Sequence, residues 1–367
     1  MIRAADLSMT AEVESLGGRY FADGREVDLF EWCAASGLTA VRLRLWFDPR
    51  DQGGRSYQGG GNDLATTLAL ARRAHAAGLD LLLDLHYSDF WTDPKKQQLP
   101  KAWLGMSHAE VCAAVHRCTA DVLAALLDQG TPAGWVQVGN EITNGMLWPH
   151  GQIPRYDFEA RTFEGEDPLA WDRLADLLHA GLDAVPEQVG RILHLDFGGA
   201  GDLYRGWFDQ ATARDLDFDI IGLSYYPFWH GTLADLGANL TDLVDRYDKD
   251  VLVVETSYAW TAASPPGHHQ VFSADLAEVG GYPASPAGQS AFLTDLAATI
   301  AAVPRGRGLG LVYWEPAWLP VPGTSWASPA GMAYAEDVAE PGNPWANQAL
   351  FDFDGNALDA WRALGGG

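Results

Sequence analysis

Two glutamates carry the chemistry this chain is best equipped to perform. Glu141 closes the run Trp135-Val-Gln-Val-Gly-Asn140-Glu141, and Glu255 closes Val251-Leu-Val-Val-Glu255. Each ends a Val-rich stretch of the kind that forms a strand buried on both faces. A carboxyl at that point stands where a parallel strand opens into a loop, the place where α/β barrels keep their reacting groups. Two carboxyls facing each other across one cleft are the minimum for cleaving a glycosidic bond. In this reading Glu141 is the acid/base and Glu255 the nucleophile. Asn140, just before the acid, is placed to bond a sugar 2-hydroxyl, a contact that strengthens as the ring gains oxocarbenium character.

A nucleophilic Glu255 has to stay ionised and needs a cation or a donor beside it. Arg42 and Arg44 in Val41-Arg-Leu-Arg-Leu-Trp46 point to one face, because strand side chains alternate. Arg44 is the expected partner of Glu255; the alternative is a structural bridge to another carboxylate such as Asp84. His86, at the end of Leu83-Asp84-Leu85-His86, can donate to a substrate hydroxyl or to a carboxylate. Asp84, His86 and His194 raise the question of a metal, but no further ligands occur at metal spacing, so no catalytic metal or other cofactor is expected. In Ser224-Tyr225-Tyr226-Pro a tyrosine can hold the nucleophile by its hydroxyl. Trp314 would form the floor under the reacting sugar, with Trp91 and Trp318 among the sugar-facing aromatics. Glu315 competes with Glu255 for the nucleophile's role, but next to Pro316 it reads as a loop brace. Glycine-rich phosphate loops and Gly-x-Ser-x-Gly elbows are absent.

The elements that must hold these residues alternate. Eight strands are expected at residues 3–8, 41–46, 81–86, 136–141, 191–196, 219–225, 251–255 and 309–314. Helical patterns fall at 28–36, 63–77, 108–128, 168–184, 203–214, 233–247, 285–302 and 357–364. Strand and helix alternating eight times predict a single-domain (β/α)8 barrel over residues 1–367. The loops after strands three, four and eight are long and rich in Trp, Pro and Gly. The last, about 315–344, exceeds ordinary loop length and is expected to be functional.

Composition narrows the partners. Lys and Arg number 24 against 49 Asp and Glu, a net charge of −25, which argues against nucleic acid or an anionic membrane as partner. Fifteen Trp and twelve Tyr suit the apolar faces of sugars, although most of them are expected to be packing. Cys33, Cys112 and Cys118 form neither a disulfide framework nor a zinc pattern. No apolar run approaches a membrane span, and the start does not read as a signal peptide. A cytoplasmic protein, or one whose leader lies outside this chain, is expected from that start.

Taken as a set, several stretches resemble glycoside hydrolase family 53, the arabinogalactan endo-β-1,4-galactanases. They are Val41-Arg-Leu-Arg-Leu-Trp, Asp84-Leu-His-Tyr-Ser-Asp-Phe-Trp-Thr-Asp-Pro, Val136-Gln-Val-Gly-Asn-Glu-Ile-Thr-Asn-Gly-Met-Leu-Trp-Pro, Ser224-Tyr-Tyr-Pro-Phe-Trp-His-Gly, Val254-Glu-Thr-Ser-Tyr, Tyr313-Trp-Glu-Pro-Ala-Trp and Asn347-Gln-Ala-Leu-Phe-Asp-Phe-Asp-Gly-Asn. They run in order from about Ile2 to the C-terminus. The resemblance implies a clan A barrel that hydrolyses β-1,4-galactan and galacto-oligosaccharides with retention, Glu141 as acid/base and Glu255 as nucleophile. It implies that Arg44, His86, Asn140, Tyr226 and Trp314 line the reacting subsite and that Asp196 is a further sugar contact. It also implies a secreted protein; a monomer is expected.

The sequence departs from the family in four places. Ala4 replaces the glycine of the opening Ile-x-Gly-Ala-Asp. The fifth-strand Asp-Asn-Gly is Asp196-Phe197-Gly198 here. No cysteine lies beyond Cys118, so the disulfide that ties the loops after strands seven and eight in fungal relatives has no counterpart. Bacterial relatives use calcium there, but Ser264-Pro-Pro-Gly-His-His-Gln-Val-Phe-Ser-Ala-Asp275 is poor in hard oxygen side chains, which weighs against a structural calcium and leaves backbone carbonyls as its ligands. The rival readings are a clan relative acting on mannan or cellulose, a non-catalytic glycan-binding barrel, and a metal hydrolase on the same barrel.

Overall fold

The Val- and Leu-rich runs become strands because both of their faces find apolar partners, one in a barrel lumen and one under a ring of helices. In the computed structural model, which describes residues 1–366, the strands are β1 (Ile2–Asp6), β2 (Ala40–Leu45), β3 (Asp80–Leu85), β4 (Trp135–Val138), β5 (Gly190–Leu195), β6 (Ile220–Ser224), β7 (Asp250–Thr256) and β8 (Gly308–Tyr313). All pair in parallel and close in the order β1-β8-β7-β6-β5-β4-β3-β2. The outer helices are α1 (Leu29–Ala35), α2 (Leu64–Ala76), α3 (His108–Asp128), α4 (Pro168–Leu182), α5 (Gly201–Thr212), α6 (Leu233–Tyr247), α7 (Pro286–Ala301) and α8 (Ala360–Gly365). The fold is the expected (β/α)8 barrel.

Local chemistry starts the helices. Ser107 and Glu110 close a reciprocal capping box at α3, Thr232 and Asp235 do the same at α6, and the Asp63 carboxylate accepts the Thr66 N–H at α2. Pro168 and Pro286 occupy first-turn positions of α4 and α7, where a missing N–H costs nothing.

The lumen is layered. Its lower layer is a cluster of Ala4, Ala40, Leu82, Ile192, Ile220, Leu252, Val254 and Val312, separate from the larger core between strands and helices. Gly222 completes it: a Cβ there would meet Ile192 at 2.8 Å and Val254 at 3.3 Å. Two residues further along the same strands the inward positions turn polar, with Asp6, Arg42, Asp84, Gln137, His194 and Ser224 all buried.

Two differences from the sequence expectation shape the upper end. The fourth strand stops at Val138, not at Glu141, because Gly139 (φ +89°) and Glu141 (φ +47°) turn the chain in the left-handed region. The seventh strand carries irregular register on both sides, with Ser224 opposite Glu255. That bulge lets Val254 and Glu255, adjacent in sequence, both face the lumen, the one in the apolar cluster and the other among the charges. Periodicity also passed over short helices at Thr10–Ser15, Ala274–Gly280 and Pro329–Ala335; the last lies within the long loop after β8.

Candidate active site

The loops at the C-terminal ends of the strands enclose a cleft of about 810 Å³. Glu141 and Glu255 both reach it, together with Arg42, Arg44, His86, Asn140, Asp196, Tyr226, Trp91, Trp314 and Trp318. The turn through Gly139 brings the Glu141 carboxyl back over the barrel mouth. The Ser224 hydroxyl donates to Glu141 Oε1 at 2.6 Å and lies 3.5 Å from Glu255 Oε2. One hydroxyl reaching both carboxyls leaves those two oxygens no more than about 6 Å apart.

The two carboxyls have unlike surroundings. Glu255 Oε1 meets the Arg42 guanidinium at 2.8 Å, and Tyr226 donates its hydroxyl to Oε2 at 3.3 Å. Glu141 has no ion pair among the described residues. Burial first, then the charges of Glu255 and Asp196, pushes the Glu141 carboxyl well above the usual range. Burial pushes Glu255 up to about 7, against the pull of Arg42. Glu141 is therefore the one that holds a proton longer. Asp196, whose carboxylate accepts the Thr143 hydroxyl, is raised by burial to about 7.

The cation beside Glu255 is Arg42, not Arg44. Both arginines face the lumen, but at different depths. Arg42 lies in the layer of Asp6, Asp84 and Gln137, donating to Asp6 at 2.7 Å, Asp84 at 2.9 Å, Gln137 Oε1 at 2.7 Å and Asn140 Oδ1 at 3.0 Å. Arg44, one layer higher, pairs with Glu315 and stacks over Trp91, 4.2 Å from the ring centre. Glu315 also accepts the Met9 N–H at 3.1 Å and so braces the entry to the loop after β8. The Asp84 bridge weighed as an alternative for Arg44 exists, but Arg42 makes it.

Each of the other expected residues has a defined place. His86 Nε2 meets Asp84 at 2.9 Å, and its Nδ1 accepts the Thr92 N–H at 3.2 Å, so its ring is fixed by a carboxylate from below. Asn140 donates to the Thr92 carbonyl at 2.9 Å while taking Arg42 on its oxygen. Trp314 packs at 6.1 Å on Trp91 and at 5.0 Å on Trp345, an indole row along one wall. Trp318 is nearly fully buried behind Trp314 and donates its indole N–H to Thr324, so it backs that row rather than presenting a face.

Sequence reasoning missed the buried relay beneath the acid. Gln137 Nε2 meets His194 Nδ1 at 3.0 Å, and the Glu141 N–H donates to the same nitrogen at 3.3 Å. The proton of His194 then sits on Nε2, 2.8 Å from the Ser224 hydroxyl that touches Glu141. Burial and the Arg42 charge push His194 well below its ordinary value, so it stays neutral. The sequence raised His194 only as a possible metal ligand and Ser224 only as the start of its motif, and neither residue type announces a partner.

The loops after β7 and β8 are joined directly. Gln270 Nε2 donates to the Asn343 carbonyl at 2.8 Å, and its oxygen accepts the Asn347 N–H at 2.8 Å. Asn347 Nδ2 donates to the Phe272 carbonyl at 3.0 Å, and His268 Nδ1 accepts the Asn343 N–H at 2.9 Å. One buried oxygen there, Asn347 Oδ1, is without a partner, and no group of three or more His, Cys, Asp or Glu side chains gathers among the described residues. Calcium takes six to eight oxygens, which this donor set does not fit.

With that geometry in place, comparison with known proteins identifies the chain. A sequence model described as glycosyl hydrolase family 53 matches residues 2–364. An endo-β-1,4-galactanase of Bacillus subtilis (strain 168) is 34% identical over 385 residues, covering 99% of this chain and 85% of that protein. The structure of the family 53 catalytic domain of Ignisphaera aggregans superposes with a TM-score of 0.89 at 38% identity, covering 99% of this chain and 95% of that one. A fungal β-1,4-galactanase structure superposes at 0.78 with 29% identity, covering 100% and 99%. This chain belongs to glycosyl hydrolase family 53.

Proposed function

We propose that this family 53 glycoside hydrolase cleaves internal bonds of β-1,4-galactan with retention, Glu141 serving as acid/base and Glu255 as nucleophile. The observation that carries the reading is the Ser224 hydroxyl within reach of both carboxyls, with Arg42 on one of them alone. A pair that close suits direct attack; an inverting pair stands farther apart to admit a water. The choice of galactan rests on the relatives' names.

In the first step Glu141 gives its proton to the leaving oxygen while the Glu255 carboxylate attacks the anomeric carbon. In the second, Glu141 takes a proton from water, which attacks the galactosyl ester and frees Glu255. Arg42 and Tyr226 hold the nucleophile's charge and its direction. The buried setting of Glu141 keeps its proton available, so the environments of the two acids separate their roles. Asn140 stands beside the acid with its carbonyl oxygen fixed by Arg42, presenting its amide to a sugar 2-hydroxyl. The open cleft and its row of indoles suit a chain substrate running through, and a polymer of that size places the work outside the cell.

No metal enters this reading, since the two loops hold each other through Gln270 and Asn347. A chelator is expected to leave the thermal midpoint and the activity unchanged; a large fall in either would return calcium to the structure. The main test is reducing-end release from linear β-1,4-galactan, with the first-formed anomer read by NMR. Faster release from mannan or cellulose moves the substrate, an α-anomer moves the mechanism, and binding without release leaves a lectin.

A further inference from the structure

From the aromatic residues beyond Asp196 we infer that Phe197 and Phe158 form an apolar platform for the leaving-group side of the substrate, so that this chain grips the departing sugar through its C–H face. The platform's role rests on the proposed galactanase activity.

Phe197 has φ +54°, in the left-handed region that glycine and asparagine tolerate and a bulky aromatic residue resists. Such strain persists where the surroundings over-determine it and clusters at binding sites. Here the strained backbone leaves the ring partly exposed on the cleft wall. Phe158, half exposed, meets it with centroids 4.4 Å apart, and His230 packs on Phe197 at 4.7 Å in a tilted arrangement.

Phe158 is at the tip of a short hairpin, Tyr156–Asp157 paired with Thr162–Phe163, in the loop after β4. That hairpin has its own anchor: Phe163 packs on Tyr156 at 5.3 Å and on Trp171 of α4 at 5.2 Å. The Asp157 carboxylate also accepts the N–H groups of Glu159 and Ala160, fixing the turn. Phe158 also packs on Tyr156 at 5.1 Å, but the Phe163 anchor is separate from it, and its half-exposed ring extends the apolar surface of Phe197, which lines the cleft.

The side of the cleft is set by the chemistry. The acid's proton goes to the leaving oxygen, so the departing unit lies against the acid's own wall. Phe197 comes just after β5, the neighbour of β4, and Thr143, two residues past Glu141, bonds the Asp196 carboxylate next to it. Of the indole row, Trp314 and Trp345 follow β8, four strands round the barrel from β4 and so across the lumen from the acid, while Trp91 follows β3. Flat apolar rings on the acid's wall suit the C–H face of a pyranose and offer nothing to its hydroxyls.

The test compares two substrates of the intact chain: galactotetraose, which fills the leaving side with sugar, and β-galactobiosyl fluoride, whose leaving atom needs no platform. In Phe197→Asn and in Phe158→Ala the ratio of kcat/KM for the tetraose to that for the fluoride is expected to fall about fivefold to tenfold, as for loss of one aromatic contact. Transfer to added galactobiose, which must dock on the same side, is expected to fall with it. An unchanged ratio in either variant overturns the platform, because a purely structural role lowers both substrates together. Phe158→Ala leaves the Phe163–Trp171 anchor of the hairpin and the Phe197 backbone in place, so the comparison survives a folding defect in Phe197→Asn. Failure of the unaltered chain to hydrolyse the fluoride overturns the galactan reading itself, and the platform's sugar with it.

Discussion

The lower and upper layers of the same eight strands make unlike interiors. Below, Ala4, Ala40, Leu82, Ile192, Ile220, Leu252, Val254 and Val312 fill the lumen without a polar side chain. One pleat higher, Asp6, Arg42 and Asp84 are as fully buried, and ionic. Replacing such a cluster by apolar residues is often neutral or stabilising, since desolvation offsets much of the Coulomb gain. The upper layer therefore has its use in the cleft above it: it brings the Arg42 cation to one carboxyl of the facing pair and leaves the other without an ion pair among the described residues. A barrel of this kind divides its labour along the strand axis, stability at one end and reaction at the other.

The sharpest way to break that contrast is to remove the reacting acids. Glu255→Gln and Glu141→Gln are each expected to lower galactan hydrolysis by roughly a thousandfold or more, while melting temperature changes little. Wild-type-like rates in either clean variant would end the assignment. The converse change lies below. Ile192→Ala opens a hole in the sealed layer and is expected to cost about 2–5 kcal/mol, read as a lower urea midpoint. Turnover per folded molecule should be retained; loss of turnover without loss of stability would mean that the two layers are not separable.

Finer changes weigh on one acid more than on the other. Tyr226→Phe removes a donor from the Glu255 carboxylate. Its pKa then rises further above about 7, so the acid limb of the kcat/KM profile moves to higher pH, with a rate loss of about tenfold. Ser224→Ala removes the donor to Glu141. The Glu141 pKa rises, and the basic limb moves to higher pH by about one unit or less. A shift of the opposite limb in either variant would reverse the roles of the two glutamates.

Much of this was legible in the residues. Val251-Leu-Val-Val and Trp135-Val-Gln-Val declare strands, and the carboxyls that follow them fall at the barrel mouth, because the end of a buried strand is a fixed place in a barrel. Arg42 and Arg44 show where that reasoning stops. Alternation puts both in the lumen, but which one meets Glu255 depends on depth along the axis and on the bulge that turns Glu255 inward after Val254. Neither is written in a period of two. Ser224 and His194 were hidden for another reason: their part is played through partners from β4, β5 and β6 at once. The left-handed turn at Glu141 was likewise concealed, since Gly139 signals a turn without saying where the next carboxyl will aim.

The seam between the loops after β7 and β8 has a practical consequence. Carboxamides and a ring nitrogen knit this edge of the cleft, and no cysteine lies there, so thiol–disulfide exchange cannot loosen it. Its weakness is of another kind: each link is a neutral dipole whose worth depends on keeping water out, so a solvent that competes for amide groups should open the cleft here before it melts the barrel.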